Sequence, residues 1–209
     1  MSGISGIFNL DGSPVSEQEL RATVAMQRLR GPDGTGCWQD GSIGLGHTML
    51  ATTPESLVEP QPFRHEATGC TITADLRLDN RGELYAALQL DSPEASIGDA
   101  ELLVLSYLKW GEACLDRILG DFAFALWDPR DSKLFCARDH FGLRVVRHEL
   151  GQEGADLGLD GRREELEHFE ELVQEGGAAV HGAVEPAELR QDGAAAGELL
   201  RRVAHQSGP

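Results

Sequence analysis

The sequence predicts a domain of mixed α and β structure, of the α+β class, over residues 1–144. Three observations predict this class. A capping box opens a helix at Ser16, the β-branched alternation of residues 70–75 is typical of a strand, and two apolar runs joined by turn residues predict a hairpin over 122–137. With 209 residues, 41% of them hydrophobic, the chain is long enough to bury a core.

The first helix is predicted to run from Ser16 to about Arg30. Ser16 and Glu19 have the spacing of a capping box, and Pro32 ends the helix because proline cannot continue it. Apolar residues recur on one face of this helix: Leu20, Val24 and, less regularly, Leu29.

Later elements follow from alternation, apolar surface and turn residues. Residues 41–47 and 70–75 alternate as strands do, and the polar segment 79–82 breaks the chain. A second helix is predicted from about Ala100 to Trp110 with Gly111 as its C-terminal cap. The hairpin strands are predicted at residues 122–127 and 133–137.

Composition excludes several classes of function. A formal charge of −17 argues against a nucleic-acid partner, because phosphate binding needs clustered Lys and Arg. No apolar run approaches the roughly 20 residues of a membrane-spanning helix, and no secretion signal is apparent, so we expect a cytoplasmic protein without a membrane partner. The four cysteines lack metal-ligand spacing, so we expect reduced thiols and no metal site.

The N-terminal segment Met1-Ser2-Gly3-Ile4-Ser5-Gly6-Ile7-Phe8 supplies a candidate nucleophile. Ser2 is a small hydroxyl residue behind a removable methionine. Removal of Met1 leaves an α-amine with an unperturbed pKa of about 7.7–8.0, which suits a general base beside the Ser2 hydroxyl.

Four blocks together resemble the class II glutamine amidotransferases, in particular their asparagine synthetase branch. They are the N-terminal segment, the Arg-Gly-Pro-Asp loop at 30–36, the strand at 120–128 and the block at 138–144. The resemblance implies a four-layer αββα sandwich of two antiparallel sheets, the fold of the N-terminal nucleophile (Ntn) hydrolases. It also implies that Ser2 stands where the family has its catalytic cysteine.

The resemblance implies that the catalytic site is degenerate. The family's oxyanion-hole pair Asn-Gly corresponds by spacing to Ala74 and Asp75, which removes a side-chain amide and places a carboxylate near the developing anion. Leu76 replaces a glutamate that helps to hold the substrate ammonium group.

Two contacts to the head group of glutamine are candidates for retention. Arg30 matches the arginine that binds the α-carboxylate, and Asp99 matches the acid that binds the ammonium group. The alternative for Arg30 is a surface residue at a helix end, and the alternative for Asp99 is the N-cap of the second helix. We expect His47 to be a packed core residue. Three further residues are expected to be structural: Asp121, Asp139 and His140.

The tail over 145–209 differs from the rest of the chain. It carries 14 acidic and 6 basic residues, a net charge of −8, and its only aromatic residue is Phe169. The family block continues as Pro-Leu-Tyr-Tyr, whereas this chain reads Val145-Val146-Arg147-His148. A truncation or a shifted reading frame after Arg144 is one explanation. Residues 162–173 predict one amphipathic helix, and the rest of the tail is expected to be poorly ordered.

The residue pattern most resembles relatives that close lasso peptides, or β-lactam synthetases, in which the amidotransferase half is degenerate. Such enzymes use ATP and Mg²⁺ in a synthetase domain with a Ser-Gly-Gly-x-Asp-Ser loop, which this sequence lacks, so no cofactor is expected in this chain. The leading hypothesis is a degenerate amidotransferase domain whose partner is a synthetase domain or chain. The alternatives are an active glutamine-hydrolysing domain of asparagine biosynthesis using Ser2, and an amino-acid binding or scaffold module.

Overall fold

The structure, a computed structural model, describes residues 1–9, 11–52, 55–57, 59–91, 97–139 and the backbone of 181–184. His140 and the helix predicted over 162–173 lie outside the described residues, as does most of the predicted tail.

The first sheet has three antiparallel strands. They are β1 (Gly3–Phe8), β2 (Gly34–Asp40) and β3 (Ile43–Met49), in the order β1-β3-β2. In the central strand β3, His47 is opposite Ile4 of β1 on one side and opposite Gly36 of β2 on the other. The N-terminus is therefore fixed along an edge strand of this sheet.

The second sheet has five strands in the order β4-β5-β6-β7-β8. They are β4 (Phe63–Arg64), β5 (Thr71–Leu78), β6 (Gly120–Asp128), β7 (Lys133–Arg138) and β8 (His181–Val184). Every neighbouring pair is antiparallel. The β6–β7 pairing confirms the predicted hairpin. The four residues of β8 lie within the tail that begins at residue 145.

Helices cover the outer faces of both sheets. Helix α1 (Glu17–Met26) contacts all three strands of the first sheet, while α3 (Asp99–Trp110) packs on β5 and α2 (Arg81–Leu88) packs on α3. Short 3-10 helices span Glu55–Leu57 and Gly111–Asp116. The layers run helix, sheet, sheet, helix, which confirms the four-layer αββα sandwich.

Helix α1 begins as predicted and ends early. Ser16 is its N-cap and accepts a hydrogen bond from the Glu19 amide at 3.4 Å. The helix ends at Met26 rather than near Arg30, because the chain turns to seat Gln27 against the sheet, where Gln27 Nε2 donates to the Ile4 carbonyl at 3.2 Å. The expectation that Leu29 faces the core is wrong, since Leu29 is 98% exposed.

Glycines let α1 lie directly on β3. A Cβ at Gly44 would press on Leu20 and Val15, and a Cβ at Gly46 would collide with Val24. Gly44 and Gly46 therefore leave room on this face of β3 for the helix, and Ile43, Leu45 and His47 face the second sheet.

Two apolar clusters stabilise the sandwich by removing their side chains from water. The larger cluster lies between the second sheet and its helices and includes Phe124, Phe135, Leu102 and Leu103. The smaller cluster lies between the sheets and is formed by Ile43, Leu45 and Trp127, with Phe8, Trp38, Ala125 and Leu134 packed against it. Polar side chains, His47 and Thr73 among them, extend the layer between the sheets toward the Ser2 end of β1.

Candidate active site

A cleft opens where the start of β1 meets β5 and the start of α3. Five predicted positions line it together: Ser2, Ala74, Asp75, Leu76 and Asp99. The other lining residues are Met49, Leu50, Thr52, Ser56, Glu59 and Gln61. Residues far apart in sequence therefore meet in one cleft.

The Ser2 hydroxyl is held by structural contacts. Ser2 is only 7% exposed, and its Oγ accepts a hydrogen bond from the Leu50 amide at 3.0 Å. The hydroxyl proton points to Met49 Sδ at 3.9 Å, which is a weak acceptor and not a base. Within the described residues, this hydroxyl is oriented without a partner that would accept its proton in a reaction.

The Ser2 nitrogen contacts a carboxylate. It donates to Asp75 Oδ1 at 3.2 Å, and Asp75 is 7% exposed. Asp75 stands on the face of β5 that looks toward the first sheet, as does Thr73, whose Oγ1 donates to the Gly46 carbonyl at 2.9 Å. A negative charge therefore lies beside the reacting end of Ser2.

The backbone of Ala74 is already engaged. Its N–H donates to Gln61 Oε1 at 2.6 Å, and its carbonyl accepts from Gln61 Nε2 at 2.9 Å. The methyl group belongs to the cluster under the helices, so it offers no donor to the cleft. The sequence did not indicate Gln61. Its side-chain amide bonds to the backbone of Ala74 as a neighbouring strand would, and no local sequence pattern predicts such a contact.

Asp99 is an ion-pair partner rather than an N-cap. The N-cap of α3 is Gly98, and Asp99 is the first helical residue. The Asp99 carboxylate accepts from the Leu78 amide at 3.0 Å and from Arg81 Nη1, while Arg81 Nη2 donates to the Ile97 carbonyl at 2.7 Å. The pair is mostly buried, with side-chain exposures of 15% for Arg81 and 10% for Asp99.

Glu59 caps α3 from a distant part of the chain. Its two oxygens accept from the Ala100 amide at 3.1 Å and the Glu101 amide at 2.7 Å. A Cβ at Gly98 would collide with this carboxylate. Burial raises the pKa of Glu59 to about 7, against the two amide hydrogen bonds, which lower it. This residue was missed too, because it lies about 40 positions from the amides it caps.

Arg30 lies away from this constellation. It follows α1 in the turn before Gly31, its side chain is exposed, and it is not among the described residues that line the cleft. None of those lining residues is a lysine or an arginine. The structure thus brings Ser2, Ala74, Asp75 and Asp99 together and leaves Arg30 outside.

His47 is a core residue, as predicted. It is 1% exposed, and its Nδ1 lies 3.2 Å from Thr73 Oγ1. Because the Thr73 hydroxyl donates to Gly46, Nδ1 is the donor of this pair, and Nε2 has no hydrogen-bond partner among the described residues. Burial lowers the pKa of His47 to about 4, so the ring is neutral near pH 7.

The acids expected to be structural make structural contacts. Asp139 is 4% exposed and accepts from the Phe122 amide at 3.3 Å, and Asp121 lies 3.6 Å from Arg77. No group of three or more His, Cys, Asp or Glu residues in the described ranges could hold a metal ion. None of the described helices has the length and apolar character that crossing a membrane requires.

Comparison of the sequence with known proteins identifies the family to which the chain is similar. A family model for a glutamine amidotransferase domain matches residues 1–159. Asparagine synthetase [glutamine-hydrolyzing] 3 of Bacillus subtilis is 32% identical over 148 residues, which is 69% of this chain and 24% of the relative. Amidase chry2 of Gibberella zeae is 29% identical over 150 residues, 71% of this chain and 22% of the relative. The chain spans about a quarter of the length of these relatives.

A solved structure agrees with the fold. Glutamine phosphoribosylpyrophosphate amidotransferase from B. subtilis matches with a TM-score of 0.54 and 20% identity, covering 69% of this chain and 38% of that one. The family match runs past Arg144. Three interpretations stay predictions: the domain boundary at Arg144, the frameshift, and the likeness to lasso-peptide cyclases. The chain belongs to the family of class II glutamine amidotransferase domains.

Proposed function

We propose that this domain keeps the amidotransferase fold without glutaminase activity. We also propose that it is a structural part of an asparagine synthetase-like, ATP-dependent amide-forming ligase. The observation that carries the first proposal is the contact of the Ser2 nitrogen with Asp75 at 3.2 Å in a buried cleft.

The contact opposes each catalytic step. A general base must be neutral to accept the proton of the Ser2 hydroxyl, and a carboxylate beside the α-amine favours the charged ammonium form. The same carboxylate repels the negative charge that develops when a nucleophile attacks an amide carbonyl. Preorganised donors normally stabilise that charge by about 2.7–4 kcal/mol each.

Donors that could replace the family pair are engaged elsewhere. The Ala74 amide is held by Gln61, and the Leu50 amide is held by Ser2 Oγ itself. An intermediate in this cleft therefore faces Asp75 without these two amides, which supports the loss of activity.

The cleft also lacks the charges that hold a free amino acid. Its ionisable lining residues in the described structure are three carboxylates, on Glu59, Asp75 and Asp99. The α-carboxylate of glutamine would meet no lysine or arginine there, and Asp99 is already paired with Arg81. Both considerations weigh against an amino-acid binding module.

The proposed partner is a synthetase domain, on another chain or on a longer form of this one. The relatives named asparagine synthetase are about four times longer than the matched part, which supports such a partner. ATP does not fit this cleft, because its carboxylates repel a triphosphate, and no group of three or more His, Cys, Asp or Glu residues among the described residues could hold Mg²⁺. Those groups belong to the proposed partner.

Calorimetric titration of glutamine into the protein tests the loss of substrate binding. We expect no saturable heat up to millimolar glutamine, because no lysine or arginine lines the cleft to hold the substrate carboxylate. Saturable one-site binding that disappears in Arg30→Ala, but not in the matched surface variant Arg28→Ala, would instead establish the amino-acid binding module.

A further inference from the structure

The Ser2 nitrogen occupies a defined position between the two sheets. It belongs to the residue just before β1, and it donates to a carboxylate on β5. The next residue is fixed as well, because the Gly3 amide donates to Thr48 Oγ1 at 3.1 Å. Ser2 itself is 7% exposed, whereas Met1 is 50% exposed. The chain therefore passes from exposed to buried at the Met1–Ser2 peptide bond.

We propose that removal of Met1 converts this contact into a buried ion pair between the Ser2 α-ammonium group and the Asp75 carboxylate, which anchors the N-terminus between the sheets. Hydrolysis of the Met1–Ser2 peptide bond by a methionine aminopeptidase consumes one water and releases free methionine. The new α-amine takes a proton from solvent. The modification site is Met1. Its exposed side chain leaves it accessible, and the small side chain of Ser2 favours its removal.

The surroundings favour the charged form of the new amine. Asp75 is the carboxylate in hydrogen-bond contact, and burial strengthens the attraction between opposite charges. The other ionisable groups lining the cleft are Glu59 and Asp99, both carboxylates, and the Arg81 guanidinium is bound to Asp99. The cleft is therefore an anionic site for a terminal ammonium group.

This inference deepens the proposed function, on which it rests, by giving the former catalytic cleft a structural use. An amine held as ammonium cannot act as a base, and the nucleophile's position becomes a clamp between β1 and β5. The clamp joins the two sheets at the end of the sandwich opposite the apolar cluster of Ile43, Leu45 and Trp127.

The first test follows the titration of the Ser2 amine in wild-type protein. Mass spectrometry first establishes that Met1 is absent. NMR of protein labelled with ¹³C-serine then follows the Ser2 signal, which is assigned by its disappearance in Ser2→Ala. We expect a midpoint at least one pH unit above the free-amine range of about 7.7–8.0. A midpoint within that range, or retention of Met1, would overturn the proposal.

The second test measures coupling between the amine and Asp75. A methionine aminopeptidase inhibitor during expression yields the chain that keeps Met1, where the nitrogen is an uncharged amide. Asp75→Asn should lower Tm by several degrees more in the processed chain than in the Met1-retaining chain. Asp79→Asn, an exposed carboxylate paired with Arg77, serves as the control and should shift both preparations equally.

Equal effects of Asp75→Asn in the two preparations would overturn the ion pair. Where Asp75→Asn fails to fold, the wild-type titration still decides the matter. Failure of this inference can be distinguished from failure of the proposed function. Ammonia release from glutamine would contradict the proposed loss of activity, whereas the titration and the Asp75→Asn comparison test only the ion pair.

Discussion

Replacing Arg81 by alanine should destabilise the folded protein by about 3–5 kcal/mol, because it leaves the Asp99 carboxylate buried without its cation. Arg81 is 15% exposed and donates to both Asp99 and the Ile97 carbonyl. After the substitution, Asp99 would keep the Leu78 amide and would face Glu59, a second buried carboxylate. The free energy of unfolding in urea is the measurement.

Arg77→Ala provides the matched control. Arg77 pairs with Asp79 at 3.0 Å, but the two side chains are 50% and 46% exposed. Exposed pairs contribute about 0–1 kcal/mol, so this variant should unfold close to the wild-type midpoint. Similar small losses for Arg81→Ala and Arg77→Ala would mean that Asp99 does not depend on its cation.

The second large effect is a pH dependence of stability with two opposing parts. In the unfolded chain His47 binds a proton below about pH 6.5, whereas in the folded protein burial lowers its pKa to about 4. Between these values the unfolded state binds more protons, so the His47 contribution falls as pH falls, by on the order of 3 kcal/mol.

Glu59 acts in the opposite direction. Its pKa rises from 4.5 in the unfolded chain to about 7 in the folded protein, chiefly because it is buried. Between these values the folded state binds more protons, so the Glu59 contribution is present at low pH and is lost as pH rises toward 7. From about pH 4.5 to 6.5 the two contributions largely offset each other.

Single substitutions separate the two contributions. His47→Asn leaves Glu59 in place, so unfolding free energy should fall as pH rises from 4.5 to 7. Glu59→Gln keeps an acceptor for the helix amides but does not titrate, so stability should rise with pH from 4 to 6.5. Urea unfolding at a series of pH values measures both slopes, and slopes of the same sign in the two variants would contradict this assignment.

The sequence predicted the elements that carry local signals. The Ser16 cap, the apolar face of α3 with Gly111 behind it, and the hairpin of β6 and β7 all follow from residues within one element. Helix α2 was missed because its buried face is narrow, with only Leu84 and Tyr85 buried, and because it begins in a segment rich in turn residues. Local patterns predict an element when its own residues specify it.

The positions that line the cleft were predictable only in part, and their contacts were not. The family resemblance, with spacing for positions outside its four blocks, singled out Ser2, Ala74, Asp75 and Asp99, and the structure brings these four together, while Arg30 lies outside. Their partners come from far along the chain, as with Gln61 on Ala74 and Glu59 on α3. Such pairings depend on how β5 and the segment before it pack, which no spacing pattern encodes.

The cleft is internally consistent as a structural core. Each of its buried polar groups named above has a partner, and buried polar groups are costly when they lack one. The hydroxyl, the carboxylates and the Ala74 amide that a catalytic site would need free are instead bonded to the backbone or to side chains such as Gln61 and Arg81.

The central claim is that this fold no longer hydrolyses glutamine, and ammonia release by the processed protein tests it most directly. We predict release at the rate of a protein-free control, for the wild type and equally for Ser2→Cys, because Asp75 and the engaged amides remain when a stronger nucleophile is supplied. Glutamine-dependent release by the wild type that is lost in Ser2→Ala would contradict the claim.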